Sequence, residues 1–143
     1  MTDSLPVRHL FTMEATIGDP PPSVIAGGPL GTRVVVGVTG GTIKGERING
    51  TVVPILGGDF ALMRLDGSLR LDVRLVLTTD DGATIYMTYN GVGEPDEAGL
   101  KLKTAPTFEC GDERYAWLNN VQAISHGTSN MVSTLNYEVY EVL

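Results

Sequence analysis

The sequence is poor in cysteine, in basic residues and in long apolar runs, and each shortage excludes a class of protein. One cysteine, Cys110, among 143 residues permits no internal disulfide and fits a reducing compartment. Ten Lys and Arg against 17 Asp and Glu give a net charge of −7, so we expect no nucleic-acid partner. Apolar runs are too short for a membrane span, and residues 1–4 lack the basic and apolar segments of a signal peptide, so we expect none there. We therefore expect a cytoplasmic protein without a membrane partner.

Histidine is equally scarce. The two histidines, His9 and His126, have no spacing typical of a metal site, so we expect no metal and no cofactor. His126 lies in Ser125–Thr128, a segment that predicts a surface turn, with an acid–base role at a cavity rim as the alternative.

Long helical periodicity is also missing. Short runs of β-branched and aromatic residues, broken by Gly, Asp-Gly or Asn-Gly, predict one all-β domain over residues 1–143, either an up-and-down barrel or a sandwich. One short helix or helical turn is expected near Asp112–Leu118. We expect Gly18–Gly31, which contains three consecutive prolines, to form a surface loop or a lid. Gly91–Ala105 is expected to be irregular.

Two turns predict the register of the central strands. Asp66-Gly67 favours a two-residue hairpin turn, which places Phe60 opposite Val73 and Asp59 opposite Arg74. A turn one residue longer would pair apolar residues of the first strand with charged ones. Because a one-residue slip exchanges the two faces, the apolar match selects the two-residue turn.

The next turn, Asp80–Gly82, predicts a three-residue loop with a left-handed glycine. This places Leu75 opposite Met87 and Val73 opposite Tyr89. The sheet then has an apolar face and a polar face, and the polar face carries Asp59, Arg70, Asp72, Arg74, Tyr86, Thr88 and Asn90.

Two arrangements of these faces are open. The apolar face can fill a barrel while the polar face meets water, or the polar face can line a lumen that holds a small ligand. In the second arrangement Asp59 or Asp72 is the candidate base, and Arg74 and Tyr86 stabilise developing negative charge. Further candidates for substrate contact are Arg33, Phe60, Thr88, Asn90, Trp117, Asn119 and His126.

Several motifs occur together in one order along nearly the whole chain: Gly31–Arg33, Thr39–Thr42, Gly57–Phe60, Asp66-Gly67, Leu71–Arg74, Thr79–Tyr86 and Tyr115–Asn119. Together they resemble the DUF3237 (UPF0311) family of small bacterial and fungal proteins. The resemblance implies a calycin-like β-barrel and self-association as a homodimer or higher oligomer. The family pattern includes Asp59, Asp72 and Arg74, and it more usually has Trp where this chain has Phe60.

The leading hypothesis is a cofactor-independent enzyme that performs a cyclisation, isomerisation, elimination or hydration on a small, partly apolar metabolite. One alternative is a non-catalytic binding barrel of the lipocalin type, which would share the lumen. The other is a structural or interaction protein that uses an apolar sheet face as its interface. Fold alone does not decide among them.

Overall fold

The computed structural model describes residues 3–143, which form a closed antiparallel barrel of eight strand positions. Met1 and Thr2, part of the segment in which we expect no signal peptide, lie outside the described residues. The strands are β1 (Val7–Ile17), β2 (Ser23–Gly28), β3 (Gly31–Lys44), β4 (Asn49–Val52), β5 (Gly58–Met63), β6 (Leu69–Thr79), β7 (Thr84–Asp96), β8 (Gly99–Thr104), β9 (Thr107–Cys110), β10 (Ala123–Ser129) and β11 (Thr134–Val142).

The barrel closes because β3, β6 and β7 are each long enough to pair with two shorter strands placed end to end along one edge. Strands β4 and β5 share the position between β3 and β6, and β8 and β9 share the other edge of β7. Strand β2 continues the line of β1 along β3. The ring is completed by β10, β11 and β1.

The apolar face of the central strands points into the barrel, as the first of the two arrangements predicts. In β6 the side chains of Leu71, Val73, Leu75 and Leu77 are buried, and they alternate with more exposed residues such as Arg74. This alternation is the usual pattern of a sheet with one face in the core and one in water.

The predicted loop Asp80–Gly82 is confirmed. The Thr79 N–H donates to the Ala83 carbonyl at 2.9 Å, and Gly82 has a φ of +93°. The register that follows, with Val73 opposite Tyr89, is also observed.

The predicted two-residue turn at Asp66-Gly67 is wrong. The Arg64 N–H donates to the Ser68 carbonyl at 2.8 Å across a three-residue loop. Asp59 therefore lies opposite Val73 instead of Arg74. Because the slip is one residue, it exchanges the faces of β5 and turns Asp59 inward and Phe60 outward.

Both stretches expected to be irregular contain strands. Within Gly18–Gly31 a loop ends at Pro22, and β2 then pairs with β3 as an exposed strand through a turn at Pro29-Leu30. Gly91–Ala105 is mostly the hairpin of β7 and β8. The predicted helical turn is present as a 3₁₀ helix over Glu113–Asn120, and the Asp112 carboxylate caps it by accepting from the Arg114 N–H at 2.9 Å.

The interior differs between the two ends of the barrel. The end that carries the β6–β7 turn and the 3₁₀ helix, here called the filled half, is packed with large buried side chains: Phe11, Ile43, Leu75, Leu77, Ile85, Met87, Phe108 and Leu118. The other end, here called the hollow half, encloses a cavity. Among the described residues, helices long and apolar enough to span a membrane are absent.

Candidate active site in the hollow half

The cavity of the hollow half has a volume of about 350 Å³. Most of its wall is aliphatic, and the wall residues include Val34, Val36, Val38, Ala61, Leu69, Leu71, Val73, Leu100, Leu102 and Leu135. The volume falls at the lower end of the range found for small-molecule sites, and a mostly apolar wall with a few polar groups is also typical of them.

Two loops border the cavity at the end of the hollow half. Pro22 belongs to the β1–β2 loop, and Met131 and Val132 belong to the β10–β11 loop; all three are exposed. The Ile17 N–H donates to the Ser133 carbonyl at 2.9 Å and ties the loops together. Gly18 allows this close approach, because a Cβ there would lie 2.3 Å from the Val132 carbonyl oxygen.

Asp59 supplies the carboxylate of the cavity wall as the structure describes it. Its Oδ1 accepts a hydrogen bond from the backbone N–H of Asp72 at 3.0 Å. Burial raises the pKa of Asp59 from 3.8 to about 6, against the lowering effect of that hydrogen bond; the negative charge of Asp72 raises it further. Near neutral pH, Asp59 is therefore able to take up and return a proton.

Two tyrosines and Ser129 are the other polar side chains of the wall. Tyr89 of β7 and Tyr137 of β11 are both 3% exposed, and their rings meet edge to face with centroids 5.5 Å apart. Burial raises the pKa of each phenol above its usual value of 10, and the negative charge of Asp59 contributes to both shifts. Both hydroxyls thus stay protonated at neutral pH and can donate hydrogen bonds.

The Tyr89 hydroxyl is buried and has no hydrogen-bond partner within residues 3–143. It lies close enough to Tyr137 for each phenol to affect the pKa of the other, but a hydrogen bond of normal geometry does not satisfy it. Buried polar groups are nearly always paired, so an unpaired hydroxyl in a cavity wall points to a missing partner.

The predicted convergence of Asp59 with Asp72, Arg74 and Tyr86 in one lumen is wrong. Asp72 and Arg74 lie on the outward face of β6, and Tyr86 lies on the outward face of β7 with 37% of its surface exposed. The cause is the alternation of these strands, which sends their apolar side chains inward. Thr88 and Asn90 border the same shallow outer depression.

Other predicted contact residues also lie away from the cavity. Phe60 is 48% exposed on the outer surface, and its carbonyl accepts from Arg33 Nη1 at 3.1 Å. His126 lies in the middle of β10 instead of in a turn, exposed and stacked on Tyr140 with ring centroids 6.0 Å apart.

Trp117 and Asn119 belong to the 3₁₀ helix beside the filled half. The Arg47 guanidinium lies 4.3 Å from the centre of the Trp117 ring. The side chain of Asn119 bonds the backbone N–H and carbonyl of Cys110, at 2.7 and 2.8 Å, and joins the helix to β9.

Sequence reasoning missed Tyr89 and Tyr137 as site residues. The predicted register already placed Tyr89 on the apolar face, so a polar-tipped side chain among aliphatic ones was the available signal. Tyr137 follows the same rule, because it alternates inward with Leu135 and Val139 along β11. In the described part of the chain, groups of three or more His, Cys, Asp or Glu able to hold a metal ion are not found.

The chain resembles proteins of one family in sequence and in structure. The family described as "Protein of unknown function (DUF3237)" matches residues 5–142. The UPF0311 protein RPA1785 of Rhodopseudomonas palustris is 35% identical over 134 residues, which cover 82% of this chain and 84% of that protein. Its crystal structure superposes with a TM-score of 0.87 at 29% identity, covering 99% and 100% of the two chains.

A fungal relative has a named activity. The hydroalkoxylation enzyme phnH of Penicillium herquei is 35% identical over 104 residues, which cover 72% of this chain and 61% of that protein. A crystal structure of an enzyme from Penicillium herquei superposes with a TM-score of 0.79 at 26% identity, covering 100% and 98% of the two chains.

Proposed function

The chain belongs to the DUF3237 family of proteins of unknown function, and on that premise we propose that it is a cofactor-independent enzyme in which Asp59 moves protons on a small organic substrate bound in the hollow half. The observation that carries the proposal is one carboxyl group with a pKa of about 6 in the wall of an otherwise largely apolar cavity. A structural aspartate is usually solvated or paired with a cation, and strongly shifted acids concentrate at functional sites.

The reaction class follows from what a single acid–base group can do. The relative from Penicillium herquei is named for hydroalkoxylation, which adds an O–H group across a C=C bond. In this reaction the oxygen loses a proton, the C–O bond forms, and the second alkene carbon gains a proton. Atoms and electrons balance without an oxidant or a reductant, so one carboxyl that first accepts and then returns the proton is sufficient.

The nucleophile is proposed to be a phenol or an enol. A carboxylate whose conjugate acid has a pKa of about 6 removes a proton more readily from a phenol, with a pKa of roughly 10, than from an alkanol. A compact molecule carrying both this hydroxyl and the alkene also matches the cavity, whose aliphatic wall favours an apolar skeleton. Cyclisation within one molecule further avoids bringing two substrates together.

The test uses two phenols that carry an alkene, 2-allylphenol and 2′-hydroxychalcone, with cyclised products separated by liquid chromatography. We expect turnover by the native chain and at least a hundredfold loss in Asp59→Asn, which keeps the shape of the side chain but not its proton transfer. The matched control is Asp72→Asn, because this carboxyl lies on the outward face of the adjacent strand. Its charge makes the smallest contribution to the raised pKa of Asp59, so turnover should fall far less than in Asp59→Asn.

Equal turnover by Asp59→Asn and the native chain would overturn the proposal. Binding of both phenols without turnover by the native chain would also overturn it and would favour the non-catalytic binding barrel. Loss of turnover in Asp72→Asn as large as that in Asp59→Asn would instead place the chemistry on the outer face of the sheet.

A further inference from the structure

The unpaired hydroxyl of Tyr89 is not explained by proton transfer at Asp59 alone. The side chain is 3% exposed, lines the cavity, and has no hydrogen-bond partner among the described residues. A buried donor without an acceptor is unfavourable, whereas an acceptor supplied by a ligand would remove the penalty. The acceptor must reach the part of the cavity where Tyr89, Tyr137 and Asp59 lie close together.

We propose that the hydroxyls of Tyr89 and Tyr137 form an oxyanion site, and that the substrate is a conjugated unsaturated carbonyl compound whose carbonyl oxygen binds there. This inference rests on the proposed function of Asp59 and adds a substrate class to it. Preorganised donors aimed at an oxygen that gains charge are a common and strong source of catalysis.

Each step balances. The substrate hydroxyl gives its proton to Asp59, and its oxygen forms the C–O bond to the β carbon of the unsaturated carbonyl. The electron pair of the C=C bond moves toward the carbonyl, whose oxygen becomes an enolate held by Tyr89 and Tyr137. Asp59 then returns the proton to the α carbon, and the carbonyl is restored.

The electrostatics of the cavity favour this sequence. Before reaction, the described cavity wall carries one negative charge, on Asp59. When Asp59 becomes neutral, the negative charge is on the substrate oxygen, so the total does not change. The two phenols remain neutral donors because burial disfavours their ionised forms.

A phenolate is a stable analogue of the enolate, and 4-nitrophenol allows its binding to be followed by absorbance at pH 8. In the native chain the Asp59 carboxylate repels the anion. Asp59→Asn imitates the protonated acid, so we expect it to bind 4-nitrophenolate at least tenfold more tightly than the native chain. Adding Tyr89→Phe to this variant should lower the affinity by roughly tenfold or more, the expected loss for a hydrogen bond to a charged group.

Tyr86→Phe in the same Asp59→Asn background is the matched control. It removes the same atom from the same strand, but on the outward face, and should leave the affinity unchanged. Melting temperatures verify that each variant is folded, and Tyr137→Phe provides a second variant of the site should Tyr89→Phe not fold.

Equal binding of 4-nitrophenolate by Asp59→Asn with and without Tyr89→Phe would overturn the oxyanion site. So would a failure of Asp59→Asn to bind the anion more tightly than the native chain. Because this is a binding measurement, its outcome is separate from turnover. If Asp59→Asn loses turnover but binds phenolate equally with and without Tyr89→Phe, the oxyanion site is rejected and the proposed function is kept. If Asp59→Asn keeps its turnover and Tyr89→Phe weakens phenolate binding, the proposed function is rejected.

Discussion

The filled and hollow halves of the barrel are built from the same strands but differ in what those strands enclose. In β6, Leu77 packs in the filled half with no exposed surface, whereas Leu71 lines the cavity and is 3% exposed. Both side chains are inaccessible to bulk water, so burial alone does not distinguish them. We therefore expect the stabilising packing to be concentrated in the filled half, while the hollow half holds a cavity with a carboxylate in its wall.

The largest expected effect on stability is that of leucine truncation in β6. Leu77→Ala should lower the free energy of unfolding by about 2–5 kcal/mol, because it empties space in a closely packed interior. Leu71→Ala should lower it by about 1–2 kcal/mol less, since its side chain already faces open space on one side. Urea unfolding measures both values. Equal losses would mean that the cavity does not weaken packing around it.

A carboxylate in the hollow half should destabilise the fold near neutral pH. The folded pKa of Asp59, about 6, lies above the ordinary value of 3.8, so the unfolded chain releases this proton more readily. Stability should therefore fall as pH rises from about 4 to about 6, by up to about 3 kcal/mol. Asp59→Asn should be more stable than the native chain at pH 7, and the difference should vanish near pH 4. A constant difference across this range would contradict the shifted pKa.

A smaller effect is expected from enlarging two buried alanines, one in each half of the barrel. Ala123→Leu adds volume to the filled half, where overpacking should lower the free energy of unfolding by about 1–3 kcal/mol. Ala61→Leu adds the same volume at the cavity wall and should change it by less than about 1 kcal/mol. The second variant should instead weaken 4-nitrophenolate binding in the Asp59→Asn background. Calorimetric melting and absorbance titration measure the two effects, and a strongly destabilised Ala61→Leu would contradict a pre-formed cavity.

The sequence pattern predicted an all-β barrel or sandwich, the family resemblance implied the barrel, and the pairing of β6 with β7 was also predicted correctly, but the register of β5 was not. Residues of β6 and β7 alternate regularly, and Asp80–Gly82 favours a single loop length, so pattern and turn agree. In β5 the turn signal and the apolar pattern also agree with each other, but the structure contradicts both, because the apolar Phe60 lies outside and Asp59 lies inside. The rule that apolar side chains point inward selected the shorter turn at Asp66-Gly67. The structure has the longer turn, in which the Asp66 carboxylate accepts from the Ser68 N–H at 2.9 Å.

That conflict is itself informative about the site. Asp59 was identified as a candidate from the sequence, but its partners were sought on the outward face because the register was shifted by one residue. The inward face of β7 contains Tyr89, which lies in the same register row as Asp59, because Val73 of β6 is opposite both residues. For Tyr137, the alternation of β11 indicates an inward side chain, but its place beside Tyr89 depends on closure of the barrel, which local pattern does not encode.

The position of Trp117 has a spectroscopic consequence. It is the single tryptophan of the chain, and it packs beside the filled half with the Arg47 guanidinium 4.3 Å from its ring centre. Its fluorescence therefore reports on the filled half, and its ring is not part of the cavity wall. Emission from Trp117 should therefore follow the unfolding of the filled half. The protein thus contains an intrinsic optical probe for the end of the barrel that carries its close packing.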